Sequence, residues 1–274
     1  MKHERITIWE SGSFDGKAAD GFNPVLDTYL LESPEPRPVV LVCPGGGYRF
    51  TSDREAEPIA IRFNSAGFHA FVLYYSVAPR RHPHPLMDLS RSLSLIRDHA
   101  DDWQLKPDQV AVCGFSAGGH LAASLGVHWQ RDWFQGVNGI TPGQNRPNAL
   151  ILGYPVIMPG PLGHAGSFVN LLGENCSPED RALMTLQDHV GEHTPPAFLW
   201  HTVSDAAVPV ANSLEFAGAL CRHHISFEMH LYPAGPHGLS LAEPETARKG
   251  TALVNPHVAG WTALCAEWLR IVFR

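Results

Sequence analysis

The sequence predicts an α/β fold, with a mostly parallel, eight-stranded sheet and helices on both faces. Three observations carry this. Short runs of consecutive apolar residues recur along the 274-residue chain, and a strand buried on both faces reads this way because neither face is wet. Between them lie longer stretches whose apolar residues recur at helical spacing. The two kinds of segment alternate, which is the pattern of parallel strands joined by helical crossovers.

The elements follow in order. Residues 6–9 and 25–31 read as strands with no helix between them, so they are expected to pair antiparallel at one edge. Val39-Val40-Leu41-Val42-Cys43 is a fully apolar run and a central strand. Residues 53–66 place Ile59, Ala60, Phe63 and Ala66 on one stripe, and Gly67 stops the helix. Residues 69–75 form a strand. Residues 86–103 carry Leu86, Leu89, Leu93, Ile96 and Ala100 on a helical stripe. Strands at 110–113, 149–152, 197–201 and 227–231 follow, with helices at 118–129, 210–221 and 258–273. In the 210–221 helix, Leu214, Ala217, Gly218 and Cys221 are expected to face inward. Residues 130–148 and 156–196 break the rhythm with Gly, Asn and Pro, and such long excursions usually serve as binding loops or lids. The length fits a single domain over residues 1–274, with 156–196 as a lid or cap within it.

Composition removes several classes. Hydrophobic residues at 44% and charged residues at 17% exclude a disordered chain. Twenty basic against 27 acidic residues give a formal charge of −7, with no basic block, so neither nucleic acid nor an anionic membrane is expected as a partner. No apolar run approaches the ~20 residues of a spanning helix. The start of the chain has no apolar leader, and five scattered cysteines without a C-x-x-C pair indicate neither a zinc ribbon nor a disulfide framework. Cys43, Cys113 and Cys265 read as buried thiols, and a cytoplasmic location is expected.

Gly114-Phe115-Ser116-Ala117-Gly118 fits G-x-S-x-G, with a buried strand running in and a helix running out. A turn that sharp strains the serine backbone and demands small neighbours two residues away. It also aims the helix N-terminus at the hydroxyl. Ser116 is therefore the candidate nucleophile. The oxyanion formed on attack needs preorganised N–H donors. Ala117 is expected to give one, and Gly46 and Gly47, in Cys43-Pro44-Gly45-Gly46-Gly47-Tyr48, the others. A serine nucleophile also needs an imidazole and a carboxylate. Asp205 follows the 197–201 strand and precedes a helix, whereas Asp188 and Glu192 lie in the excursion. His237 sits in the Pro233-Ala234-Gly235-Pro236-His237-Gly238 loop after the last strand. His201 precedes Asp205 and is in the wrong chain order for the base. All three candidates then lie at strand C-terminal ends, where open α/β sheets bind ligands.

Sixteen histidines raise the question of a metal. His189-Val190-Gly191-Glu192-His193 matches H-x-x-E-H, but Gly191 and the following Thr194-Pro195-Pro196 oppose the continuous helix which that chemistry needs. His120 reads as a satisfied helix histidine. No metal and no cofactor are expected.

With these residues in view, the chain resembles the α/β-hydrolase superfamily. Within it, the chain is similar to the bacterial acetylesterases related to acetylxylan and feruloyl esterases. The carrying segments are Cys43 to Tyr48, Tyr74-Tyr75-Ser76-Val77-Ala78-Pro79 and Gly114 to Ala122. They continue with Leu152-Gly153-Tyr154-Pro155-Val156, His164-Ala165-Gly166-Ser167, Leu199 to Val210 and Tyr232 to Leu239. The resemblance implies a Ser116, Asp205, His237 triad, an oxyanion hole of Gly46, Gly47 and Ala117, and acyl-pocket walls near Tyr48, Pro155 and Val208. It implies an esterase for acetyl or similarly small acyl groups on sugars or xylo-oligosaccharides, with a small-molecule ester as partner. A homo-oligomer is compatible with it. The alternatives are an amidase, arylformamidase or peptidase using the same triad, an acyltransferase, and a ligand-binding relative without turnover.

Overall fold

A computed structural model describes residues 1–10, 12–15, 21–134, 136–247 and 253–274. Eight strands form one sheet: β1 (Arg5–Thr7), β2 (Val25–Tyr29), β3 (Arg37–Cys43), β4 (His69–Tyr74), β5 (Leu105–Phe115), β6 (Ala149–Gly153), β7 (Ala197–Thr202) and β8 (Phe227–Tyr232). Their spatial order is β1-β2-β4-β3-β5-β6-β7-β8. The first two strands pair antiparallel, as β1 on β2 and β2 on β4, and every other pairing is parallel. Strands without a helical crossover cannot return in parallel register, and that accounts for the antiparallel edge.

The helices are α1 (Glu57–Ser65), α2 (His84–Asp98), α3 (Ala117–His128), α4 (Ala165–Leu172), α5 (Pro178–Leu183), α6 (Ala211–Arg222), α7 (Pro256–Ala259) and α8 (Trp261–Val272). The sheet divides the core in two. Alternate residues of β3 show this, with Val39, Leu41 and Cys43 packed on one side and Val40 and Val42 on the other. Helices α2, α3 and α6 cover the first side, and α1 and α8 cover the second. Among the described residues no helix is long and apolar enough to cross a membrane.

Several expectations need correction. The stretch expected as one helix over 53–66 is a 3-10 turn, Asp53–Glu55, followed by α1. The 86–103 helix starts earlier and ends at Asp98, and the 258–273 helix is split into α7 and α8 at Gly260. On α6 the buried stripe is Asn212, Ser213, Phe216, Ala217, Ala219 and Leu220, whereas Leu214 is 48% exposed and Cys221 is exposed. Polar residues turned it. Asn212 Oδ1 accepts from the Ile157 N–H at 2.9 Å, and the Ser213 hydroxyl bonds His201 at 2.8 Å. Both must face inward, so Leu214 faces water.

Candidate active site

Four loops meet at the C-terminal edge of the parallel strands. The first leaves β5. Phe115 ends the strand and Ser116 takes φ 52°, ψ −118°, a sparsely populated conformation held by its surroundings. The turn is tight enough to exclude side chains. A Cβ on Gly114 would lie 2.1 Å from the Gly118 carbonyl oxygen, and one on Gly118 would lie 2.1 Å from that of Cys43. Helix α3 begins at Ala117, so its free N-terminal N–H groups surround the serine.

The second and third loops bring an acid and a base. Asp205, three residues beyond β7, accepts from the Ala207 and Val208 N–H groups with Oδ1, both at 2.9 Å. Its Oδ2 lies 2.6 Å from His237 Nδ1. His237 Nε2 lies 2.8 Å from Ser116 Oγ. An ionised carboxylate only accepts, so the Nδ1 proton belongs to His237 and its Nε2 is free to accept from the serine hydroxyl. Burial alone would raise the Asp205 pKa. Hydrogen bonds from His201 and His237, the charge of His237 and the Val208 N–H outweigh it and hold the carboxyl well below the usual carboxylate range. The Tyr154 and His237 rings meet edge to face at a centroid distance of 5.0 Å.

The fourth loop follows β3. Gly45 packs on the serine turn, and its N–H donates to Glu55 Oε2 at 2.8 Å. Gly46 adopts φ 130°, where a Cβ would strike the Phe50 carbonyl oxygen at 2.0 Å. The N–H groups of Gly46, Gly47 and Ala117 have no acceptor among the described residues. The Gly47 carbonyl accepts from Asn170 Nδ2 of α4 at 2.8 Å, tying the 156–196 excursion to this loop.

These loops enclose a cavity of about 540 Å³, with Ser116, His237, Gly46, Gly47, His164 and Asn170 on its wall. His164 caps α4, and its Nδ1 accepts from the Ser167 N–H at 3.2 Å. Its proton is therefore on Nε2. Burial, then the nearby His237, lower its pKa, and Asp205 opposes them. Tyr48, Pro155 and Val208 are buried beside the cavity without lining it. Tyr48 Oη bonds His120 Nδ1 at 2.9 Å, Pro155 abuts Gly119, and Val208 serves Asp205 and His201 through its backbone.

Two residues that sequence reasoning passed over stand close to this chemistry. His201 is fully buried, with Nε2 3.0 Å from the Val208 carbonyl and 3.4 Å from Asp205 Oδ2. Its place at the end of β7, four residues before the acid, was a usable signal. Glu55 is buried and braces two loops at once, accepting from Gly45 N–H and from Tyr154 Oη at 2.6 Å. Nothing local marked it, since Tyr154 is 99 residues away in the chain. The H-x-x-E-H segment forms no continuous helix. Leu186–His189 is a 3-10 turn, and His189 and His193 bond separate carbonyls, those of Ala182 and Val127.

Comparisons with known proteins bear on the family and the fold. The BD-FAE family matches residues 26–151. The chain is 38% identical over 253 residues to endo-1,4-beta-xylanase B of Butyrivibrio fibrisolvens, covering 89% of this chain and 39% of that protein. It is 32% identical over 232 residues to an acetylxylan esterase of Xylanibacter ruminicola, covering 82% of this chain and 44% of that protein. The chain thus spans less than half the length of these two relatives. Among solved structures, the acetyl ester-xyloside bifunctional hydrolase of Caldicellulosiruptor lactoaceticus superposes with a TM-score of 0.88 at 38% identity, over 98% of this chain and 96% of that one. The chain belongs to the acetylxylan esterase-like α/β-hydrolases, a family of carboxylic ester hydrolases.

Proposed function

We propose that this protein is a serine carboxylesterase that removes acetyl or similarly short acyl groups from sugars or xylo-oligosaccharides. The observation that carries the reading is the unbroken chain from Ser116 Oγ through His237 to Asp205, with contacts of 2.8 and 2.6 Å. Ser116 attacks the ester carbonyl while His237 Nε2 takes its proton. The oxyanion is met by the N–H groups of Gly46, Gly47 and Ala117. Asp205 holds the imidazole in its Nδ1–H form and stabilises the imidazolium. The tetrahedral intermediate collapses, the alcohol leaves with the proton from His237, and the acyl group stays on Ser116. Water then repeats the sequence, releasing the acid and restoring the serine. Tyr48, Pro155 and Val208 back the acyl side from behind the cavity wall. Residues 156–196 act as the lid, bound to the oxyanion loop through Asn170.

The acyl-length test is direct. Rates on p-nitrophenyl esters from C2 to C8 are expected to fall with length, and acetylated xylo-oligosaccharides are expected to release acetate. A preference for C8, or faster turnover of formyl-kynurenine or an aminoacyl amide, would replace this reading.

A further inference from the structure

The charge around the cavity runs against the charge of the chain. The protein carries −7 overall, yet two arginines, Arg49 and Arg54, stand on the cavity wall. Glu55, the lining carboxylate, has both oxygens engaged by Gly45 N–H and Tyr154 O–H. It is committed to bracing loops and does not pair with either guanidinium. Arg49 is exposed, and among the described residues its guanidinium makes no ion pair and no hydrogen bond.

Arg54 is the sharper case. Its Nε donates to the Thr246 carbonyl, which fixes the plane of the guanidinium. Its Nη1 sits beside Gly238, 3.9 Å from where a Cβ on that glycine would be. Its Nη2 is buried and has no hydrogen-bond partner, and no carboxylate among the described residues forms an ion pair with it. A buried guanidinium N–H is costly to leave without an acceptor. Arg54 thus offers the cavity a fixed positive charge, suited to an anionic group. Its position selects which part of a substrate it meets. Gly238 follows His237, the group that returns a proton to the leaving oxygen, so Arg54 flanks the alcohol and not the acyl group.

We propose that the preferred alcohols carry a carboxylate, bound by Arg54 with Arg49 at the cavity mouth, as a uronic acid unit of an acetylated oligosaccharide would. This rests on the esterase reading, because His237 defines the alcohol side. It goes beyond that reading by giving the alcohol a charge.

The test compares acetylated methyl glucuronoside with acetylated methyl glucoside, which differ only by a carboxylate in place of a hydroxymethyl. Calorimetric binding to the inactive Ser116→Ala protein reads recognition without turnover. The glucuronoside is expected to bind about tenfold tighter, the worth of one charge-assisted hydrogen bond. Adding Arg54→Gln should bring the ratio down to about twofold to threefold, and Arg54→Lys should retain more of it. Arg49→Gln, at an exposed position, should lower the ratio about twofold to threefold, as a rim charge does. Equal binding of the two sugars, binding of neither, or a ratio untouched by Arg54→Gln overturns the proposal. Hydrolysis of p-nitrophenyl acetate by the unaltered protein is measured beside it. Turnover without discrimination keeps the esterase and removes the anionic alcohol, and absence of turnover removes the esterase itself.

Discussion

Two groups of histidines, one at the strand edge and one along α3, differ in what they face, and their surroundings separate their roles. At the strand edge, His237 and His201 both face Asp205, at 2.6 and 3.4 Å. Along α3, His120 and His128 face backbone carbonyls instead. His120 Nε2 donates to Met184 at 3.3 Å and His128 Nε2 to Leu183 at 3.0 Å. His193 answers from the other side, with Nε2 2.8 Å from the Val127 carbonyl. Burial lowers the pKa of His120 to about 4 and that of His128 to about 3. A carbonyl accepts a proton's hydrogen bond but does not stabilise a full positive charge as a carboxylate does. The comparison teaches that burial among carbonyls disfavours a charged imidazole at His120 and His128, whereas the strand-edge pair faces a carboxylate. The α3 group pins residues 183–193 to α3, and in the proposed mechanism the Asp205 group handles the proton.

The comparison can be broken at its acidic end first. Ser116→Ala should abolish p-nitrophenyl acetate turnover with the fold intact by circular dichroism. Asp205→Asn should cost about 10⁴-fold in kcat, because the amide cannot select the Nδ1–H tautomer. Steady-state kinetics check both, and an Asp205→Asn enzyme within tenfold of the original would detach the acid from the base.

His201 sharpens the comparison at a smaller scale. It acts as a positioning residue, one donor among four on Asp205. His201→Leu is expected to lower kcat by about tenfold to a hundredfold, the worth of a hydrogen bond to a charged group, with KM nearly unchanged. His201→Gln keeps an N–H and should recover most of the loss. Equal damage from both variants would mean that His201 only fills space.

The α3 group should be visible in stability and silent in catalysis. The folded pKa values of His120 and His128 lie below the ordinary 6.5. Between about pH 6.5 and 4 the unfolded chain therefore binds more protons than the folded one. Stability is full above that window and is lost as the pH falls through it, by about 1.4 kcal/mol per pH unit for each histidine. His128→Gln, which still reaches the Leu183 carbonyl, should flatten this slope by about one proton while kcat stays unchanged. Denaturant titrations from pH 4 to 7 read it, and an unaltered slope would show that His128 does not titrate on unfolding.

The same contrast explains what was legible in the sequence. The sheet was readable because strands such as Val39 to Cys43 are buried on both faces and look so in one dimension. That Ser116, Asp205 and His237 would come together was readable because each sits just past a strand, where short loops limit what a side chain can reach. The α6 stripe was misread because Asn212 and Ser213 are polar and face inward, to bonds with residues far away in the chain. Glu55 escaped for the same reason, whereas His201 stood just before Asp205 and His120 reads from the sequence as the satisfied helix histidine it is. The partners of Asn212, Ser213 and Glu55 are set by how loops meet, and the local pattern of a sequence does not contain that meeting.

Ser116 as the nucleophile is the step on which the proposed chemistry depends most. A fluorophosphonate probe, followed by peptide mapping, tests it in one step. The account predicts one equivalent of label on the peptide holding Ser116, with esterase activity lost in proportion to labelling. Label on another residue, or full inhibition with Ser116 unmodified, would contradict it.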